Sequence, residues 1–105
     1  MKVTVSVAPP GGGPQDHSFD LDMTVLPDAA DCLKVVAGAG TSDYLVRRRS
    51  FLLNKLGTEN PKYSEKKVVL EVEPVLTATS SPEHRQACER YAQQGKQVST
   101  LTASA

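Results

Sequence analysis

Alternating apolar and polar positions predict strands in several parts of the chain. Residues 66–75 (KKVVLEVEPV) carry an apolar side chain at every second position, so one face is apolar and the other turns acidic. Residues 1–7 (MKVTVSV) and 19–25 (FDLDMTV) alternate in the same way. A period of two is typical of strands with one buried face. We expect residues 1–7 and 66–75 to lie side by side in a small sheet, with a loose hairpin loop over residues 9–17.

Other segments carry apolar residues at three- and four-residue spacing, which predicts helices. The segments are residues 29–37, residues 43–56 and a third helix that begins at Pro82 and ends before Gly95. Each follows a polar residue suited to cap a helix and precedes a glycine suited to end one. A weak last strand is expected over residues 96–102.

These elements, in the order ββααβαβ, predict an α+β fold. We expect a small, mostly antiparallel sheet with the helices on one face. The opening hairpin followed by a helix resembles the start of ubiquitin-like folds, and a ferredoxin-like arrangement would have similar parts. The length of 105 residues predicts a single domain over residues 1–105, with a frayed tail at 103–105.

The formal net charge of zero argues against a general nucleic-acid binder or a binder of anionic membranes. The charges are segregated, however: residues 1–33 carry −4 and residues 43–67 carry +4. They could dock the protein onto a charged neighbour or neutralise each other within the fold. Cys32 and Cys88 are too few for a disulfide scaffold and are interpreted as reduced core residues. With no apolar run of membrane-spanning length, we expect a soluble protein of the cytoplasm or an organelle interior.

Two patterns could carry chemistry. The turn Gly38–Ser42 precedes a predicted helix and could hold a phosphate, but Asp43 stands where a dinucleotide site needs a third glycine, and a plain turn explains the pattern. His84 and Cys88 are four residues apart and share a helical face, so they could be metal ligands or a thiol and its base. A structural zinc site needs four ligands, and the sequence supplies no orienting third group. We therefore expect no metal, no cofactor and no catalysis.

The run Arg47-Arg48-Arg49-Ser50 matches the arginine-directed pattern of basophilic kinases, which makes Ser50 a candidate phosphorylation site. The same arginines would suit the acidic patch of a protein partner. Alternatively, these arginines form a solvated helix face that pairs with the acidic first third of the chain.

Glu71 and Glu73 lie on one side of the predicted central strand. Paired carboxylates perform acid–base catalysis when burial separates their pKa values. Here they share a polar face with Lys67, so we assign them to a partner's cations or to solvent.

Residues 89–102 end a helix on Gln94-Gly95-Lys96 and lead into a strand. This resembles the end of the small phycobilisome linker domain, in which an amphipathic helix closes on Gly-Gly-Lys before a final strand. Gln94 and Gln97 depart from that pattern. The resemblance implies a non-catalytic assembly domain.

The interpretation that these observations favour is a non-catalytic protein–protein interaction module or a structural subunit of a larger assembly. Its predicted docking surfaces are an exposed sheet edge and the basic segment 43–56. The alternatives are a phycobilisome-linker-like assembly domain and a small enzyme or ligand-binding domain that uses Cys88 with His84 or the Gly38–Ser42 turn.

Overall fold

The computed structural model of the protein describes residues 2–58 and 62–101, and the predicted frayed tail at 103–105 lies outside them. The described residues form one sheet and one helix. The elements in chain order are β1 (Lys2–Val7), β2 (His17–Asp22), β3 (Cys32–Ala37), β4 (Gly40–Leu56), β5 (Lys62–Pro74) and α1 (Pro82–Gln93). No helix in this part of the chain is long and apolar enough to cross a membrane.

The sheet has five strands in the order β2-β1-β5-β4-β3. β1 and β5 are parallel, with Val3 opposite Val68 and Val7 opposite Val72, and the other neighbouring pairs are antiparallel. The predicted pairing of residues 1–7 with residues 66–75 is therefore confirmed. The sheet is mixed and curls into half of a barrel.

The core lies on the inner face of this curl. It is built mainly from valines because the alternating residues of β1 and β5 point to the same side when the strands pair in register. The buried members are Val3, Val5, Val7, Val46, Val68, Leu70 and Val72, each at most 1% exposed. Phe19, Leu33 and Tyr44 pack against this cluster from β2, β3 and β4.

The predicted α+β arrangement with helices on one face is wrong, and with it the ubiquitin-like and ferredoxin-like alternatives. Residues 29–37 were expected to be helical, but β3 occupies Cys32–Ala37. Gly38 and Ala39 form the two-residue turn of a hairpin, since Ala37 pairs with Gly40. Gly38 has a φ of 57°, which a glycine adopts at little cost. The glycines therefore mark a hairpin and not a helix end.

The predicted helix 43–56 is also wrong, because these residues belong to the 17-residue strand β4. Its pairing with β5 has two register irregularities: Arg47 is an extra residue in β4, and Lys66 is an extra residue in β5. The β-bulge at Arg47 breaks the two-residue period of β4, so Leu45 and the apolar residues from Phe51 onward do not alternate in one register. Pairing with β3 and β5 on its two sides overrides the helix propensity of Leu and Arg.

The prediction of a helix from Pro82 is confirmed, with Ser81 as its N-cap and Gly95 just past its end. The Ser81 hydroxyl accepts a hydrogen bond from the His84 N–H at 3.1 Å. The expected last strand is not formed within residues 96–101, where a single bridge joins Thr100 to Leu76.

Leu70→Ala tests the location of the core. Leu70 is 0% exposed, so we expect a loss of about 3 kcal/mol in the free energy of unfolding, from lost burial and from the cavity left behind. The measurement is urea denaturation. Leu52→Ala is the matched control, because Leu52 is 39% exposed and its truncation should cost under about 1 kcal/mol. Equal losses in the two variants would contradict the assignment of the inner face.

Candidate functional site

The most buried charged group described is the carboxylate of Asp43 near the start of β4, which is 0% exposed. Its Oδ1 accepts hydrogen bonds from the Thr41 hydroxyl at 2.8 Å and the Lys34 ammonium at 3.1 Å. Its Oδ2 accepts from the Thr77 hydroxyl at 2.9 Å and the Ser80 hydroxyl at 2.6 Å. Both oxygens are thus satisfied, as a buried carboxylate requires.

The electrostatics of this cluster keep Asp43 ionised. Burial raises the pKa of the carboxyl group, but the hydrogen bonds from Ser80, Thr41, Lys34 and Thr77 together outweigh it, and the net pKa lies below its ordinary value. At neutral pH the group is therefore an ionised carboxylate. Because its oxygens already accept hydrogen bonds from four donors, it is unsuited to act as a general base.

The cluster joins the loop before α1 to β4. The Thr41 N–H donates to the Thr79 carbonyl at 2.9 Å, and the Ser81 N–H donates to the Thr41 carbonyl at 2.9 Å. Gly40 makes this contact possible, because a Cβ there would lie 2.6 Å from the Thr79 oxygen. The loop therefore fixes the point at which α1 begins, and we assign the Asp43 cluster a structural role.

The structure brings His84 and Cys88 together beside this cluster, as their spacing predicts. His84 Nε2 lies 2.7 Å from the Val75 carbonyl oxygen and 3.3 Å from the Asp43 backbone nitrogen, so the imidazole contacts both β4 and the segment after β5. Cys88 Sγ lies 3.7 Å from the same nitrogen. Burial, with a smaller contribution from the Asp43 charge, raises the pKa of the Cys88 thiol. A protonated, buried thiol favours packing over nucleophilic chemistry.

The other chemical pattern, Gly38–Ser42, precedes a strand and not a helix, so it has no helix N-terminus with which to hold a phosphate. Among residues 2–58 and 62–101, no group of three His, Cys, Asp or Glu side chains could hold a metal ion. Cys32, interpreted from the sequence as a core residue, is exposed, whereas Cys88 is buried as expected.

The predicted partner-binding residues lie on β4 and β5, and much of their charge is paired within the molecule. The ion pairs are Arg47 to Glu73 at 3.0 Å, Arg48 to Glu71 at 2.7 Å and Arg49 to Asp28 at 3.0 Å. The three arginines follow a bulged strand and do not spread around a helix. Ser50, the candidate phosphorylation site, is half-buried in β4 opposite Val69.

A feature that the sequence analysis missed ties the loop after β1 to α1. The Tyr91 hydroxyl donates a hydrogen bond to the Asp16 carboxylate, which lowers the pKa of Asp16. Burial, followed by this bond, raises the pKa of Tyr91. A cleft of about 360 Å³ lies beside this contact, and its rim includes Arg90 and Lys96 at the C-terminal end of α1. These cations complement the helix dipole.

A second missed feature is a two-stranded projection, which we call the ribbon and define as residues 51–56 of β4 with residues 62–67 of β5. β1 pairs with β5 from Val68 onward, and β3 pairs with β4 up to Leu45, so no other strand within residues 2–58 and 62–101 lies beside the ribbon. The molecule is accordingly elongated, with extents of 53 × 29 × 23 Å.

The ribbon exposes large apolar side chains on both faces. Phe51 continues the inner face of the sheet, because it pairs with the buried Val68, and Leu53 follows it by strand alternation. Tyr63 joins this face opposite Lys55. The exposed fractions are 52% for Phe51, 39% for Leu52, 57% for Leu53, 54% for Leu56 and 62% for Tyr63. Around them Lys55, Lys62 and Lys67 are exposed cations.

The comparisons with known proteins give no match: no family model, no curated protein and no solved structure matches the chain. The resemblance of residues 89–102 to the phycobilisome linker domain therefore stays a prediction from the sequence.

Asp43→Asn tests the structural role of the buried carboxylate. We expect a loss of about 3 kcal/mol at pH 7, because four donors would then face an amide that carries no charge. The folded pKa of Asp43 lies below the ordinary 3.8, so its stabilisation is present above that pH and disappears as the pH falls through the folded value. The loss caused by the substitution should therefore be smaller at low pH than at pH 7. Urea denaturation as a function of pH measures both effects.

The matched control for that experiment is Asp22→Asn, which makes the same chemical change at an exposed position of β2. We expect it to leave the stability at pH 7 within about 0.5 kcal/mol. A loss from Asp43→Asn no larger than that of the control would contradict the structural role of the Asp43 cluster.

Thiol labelling tests the state of the cysteines. In the native protein Cys32 should react with a maleimide or disulfide reagent, because it is exposed, and Cys88 should react at the rate of unfolding. The Cys32→Ser variant isolates Cys88. Rapid labelling of Cys88 in that variant near neutral pH would favour the enzymatic alternative with His84.

Proposed function

We propose that the protein is a non-catalytic interaction module, a structural subunit that docks into a larger assembly through its ribbon. The observation that carries this proposal is the group of exposed large apolar side chains on a projection that no other described strand flanks. A two-stranded ribbon is marginally stable in water, and exposed apolar patches with polar surroundings are typical of protein interaction sites.

The anchors of such a contact are Phe51 and Tyr63, because aromatic side chains supply a large contact area at low entropic cost. Both belong to the inner face of the ribbon, with Leu53 between them. This apolar face would enter a groove on the partner. The partner would also gain main-chain hydrogen bonds if it added a strand to the ribbon's edge.

The charges of the ribbon indicate the chemistry of the partner. Arg47, Arg48 and Arg49 already face carboxylates of this chain. Lys55 and Lys62 are exposed cations on the ribbon itself and are available for an acidic rim around the partner's groove. Charge at the rim of an interface steers association and confers specificity. We expect the partner to be a protein of the same cytoplasmic or organellar compartment.

Affinity capture from the native cells tests the proposal. We expect the tagged wild type to retain one or more stoichiometric partners, and the Phe51→Ser/Tyr63→Ser variant to retain them at least about tenfold less, because central aromatic anchors carry most of an interface's binding energy. Raising the salt concentration should weaken capture by the wild type. Thermal unfolding of each variant confirms that the body is folded.

The control is Val25→Ser, which removes an apolar side chain that is 77% exposed but lies in a loop far from the ribbon along the chain. It should capture the same partners as the wild type. Equal capture by the ribbon variant and this control would contradict docking through the ribbon.

A further inference from the structure

β3 forms one edge of the sheet and β2 forms the other. Beyond their pairing with β4, residues 32–37 make no backbone hydrogen bond to any other described residue. An edge of this kind offers a row of donors and acceptors to another strand.

The direction of the β4 backbone shows which groups face outward. The Asp43 carbonyl accepts from the Val75 N–H at 3.0 Å, and the Thr41 N–H donates to Thr79, so both residues use their backbone groups on the side of β4 away from β3. Their partners in β3 are Lys34 and Val36. In an antiparallel pair these are the non-hydrogen-bonded positions. The N–H and C=O groups of Lys34 and Val36 therefore point outward, and by alternation those of Cys32 do too.

The side chains of β3 leave this edge unprotected. Val36 is 80% exposed, and β3 contains no proline. Its single charge, Lys34, is held by Asp43 at 3.1 Å and by the Thr77 hydroxyl at 3.0 Å. Natural edge strands usually carry charges, prolines or bulges that block pairing. β2 follows that rule, with Asp20 and Asp22 exposed along it.

We propose that β3 pairs with β3 of a second copy of this chain in antiparallel orientation, so that two sheets join across a two-fold axis. An antiparallel edge is its own complement, because the outward groups of one copy meet the same groups of the other in reverse order. With Lys34 opposite its own equivalent, Cys32 lies opposite Val36 of the second copy.

The charges of β3 favour a second copy as the occupant. The chain is neutral overall, and the lysine at the centre of the edge is already neutralised by Asp43, so two copies meet without net repulsion. Within β3 itself, a strongly acidic or basic strand would meet only Lys34, which is already paired with Asp43. Pairing of β3 with β2 of another copy would bring Asp20 and Asp22 to the contact and would produce an open chain of molecules.

The dimer leaves the ribbon free, since β3 pairs with residues 40–45 of β4 and the ribbon begins at residue 51. Each dimer would therefore present two ribbons, which raises avidity for a partner that repeats its binding site. The pairing of β3 does not depend on the proposed docking of the ribbon, because the two use different segments of the chain.

Sedimentation velocity of the purified full chain tests the proposal from about 10 μM to about 1 mM. We expect a reversible monomer–dimer equilibrium. Val36→Lys should weaken it at least about tenfold, since it places charge at a paired position. Val25→Lys makes the same chemical change at a residue that is 77% exposed and lies outside the edge, so it should leave the dimerisation constant unchanged. A wild type that stays monomeric throughout, equal dimerisation of the two variants, or open-ended growth would each overturn the proposal.

Cross-linking tests the register. When oxidised glutathione is added as the oxidant, the new thiol of the V36C variant should form a disulfide with Cys32 of the second copy, giving a covalent dimer on a non-reducing gel, because residues directly opposite in a sheet lie within disulfide reach. V25C should give no such dimer beyond the wild type's background. A V36C yield no higher than that of V25C would overturn the register and the self-pairing of β3.

Discussion

The fold depends on the parallel pairing of β1 with β5. These strands lie at the centre of the sheet, and their alternating valines with Leu70 provide six of the seven residues of the buried cluster, which Val46 of β4 completes. Parallel strands are normally covered on both faces. Here the curl of the sheet supplies the cover on the inner side, because β2 and β3 bring Phe19 and Leu33 over the same cluster. The curvature of the sheet thus covers the inner face of the core, which a layer of helices was expected to cover.

The buried Asp43 cluster is the polar counterpart of this core. It holds the loop before α1 against β4 through hydroxyl groups of Thr41, Thr77 and Ser80. A fully satisfied buried carboxylate imposes one arrangement, because any other would leave it without donors. The Asp43 cluster fixes the end of β4 that pairs with β3. The other end of β4 continues beyond the body as the ribbon, so one strand carries both a rigid anchor and an exposed projection.

The two exposed features of the molecule differ in chemistry. The ribbon combines aromatic and leucine side chains with lysines, which suits a partner with an apolar groove and an acidic rim. The outer edge of β3 has no free charge and offers mainly backbone groups, which suits a strand like itself. The self-pairing proposed at one end of β4 and the docking proposed at the other would give the protein two separate contacts.

The sequence by itself determined the strands with strict alternation, the pairing of residues 1–7 with 66–75, and the helix from Pro82, because each carries a local pattern or a capping signal. It also placed Arg47–Arg49, Glu71 and Glu73 among the charged residues of interest, without showing that they pair with one another or with Asp28. Only the tertiary structure decided that residues 32–37 and 40–56 are strands. A bulge in β4 interrupts its two-residue period, and the choice between helix and strand there rests on hydrogen bonds to β3 and β5, which the periodicity of β4 alone does not report. The Asp43 cluster and the exposed ribbon follow from that pairing, so no local pattern could have revealed them.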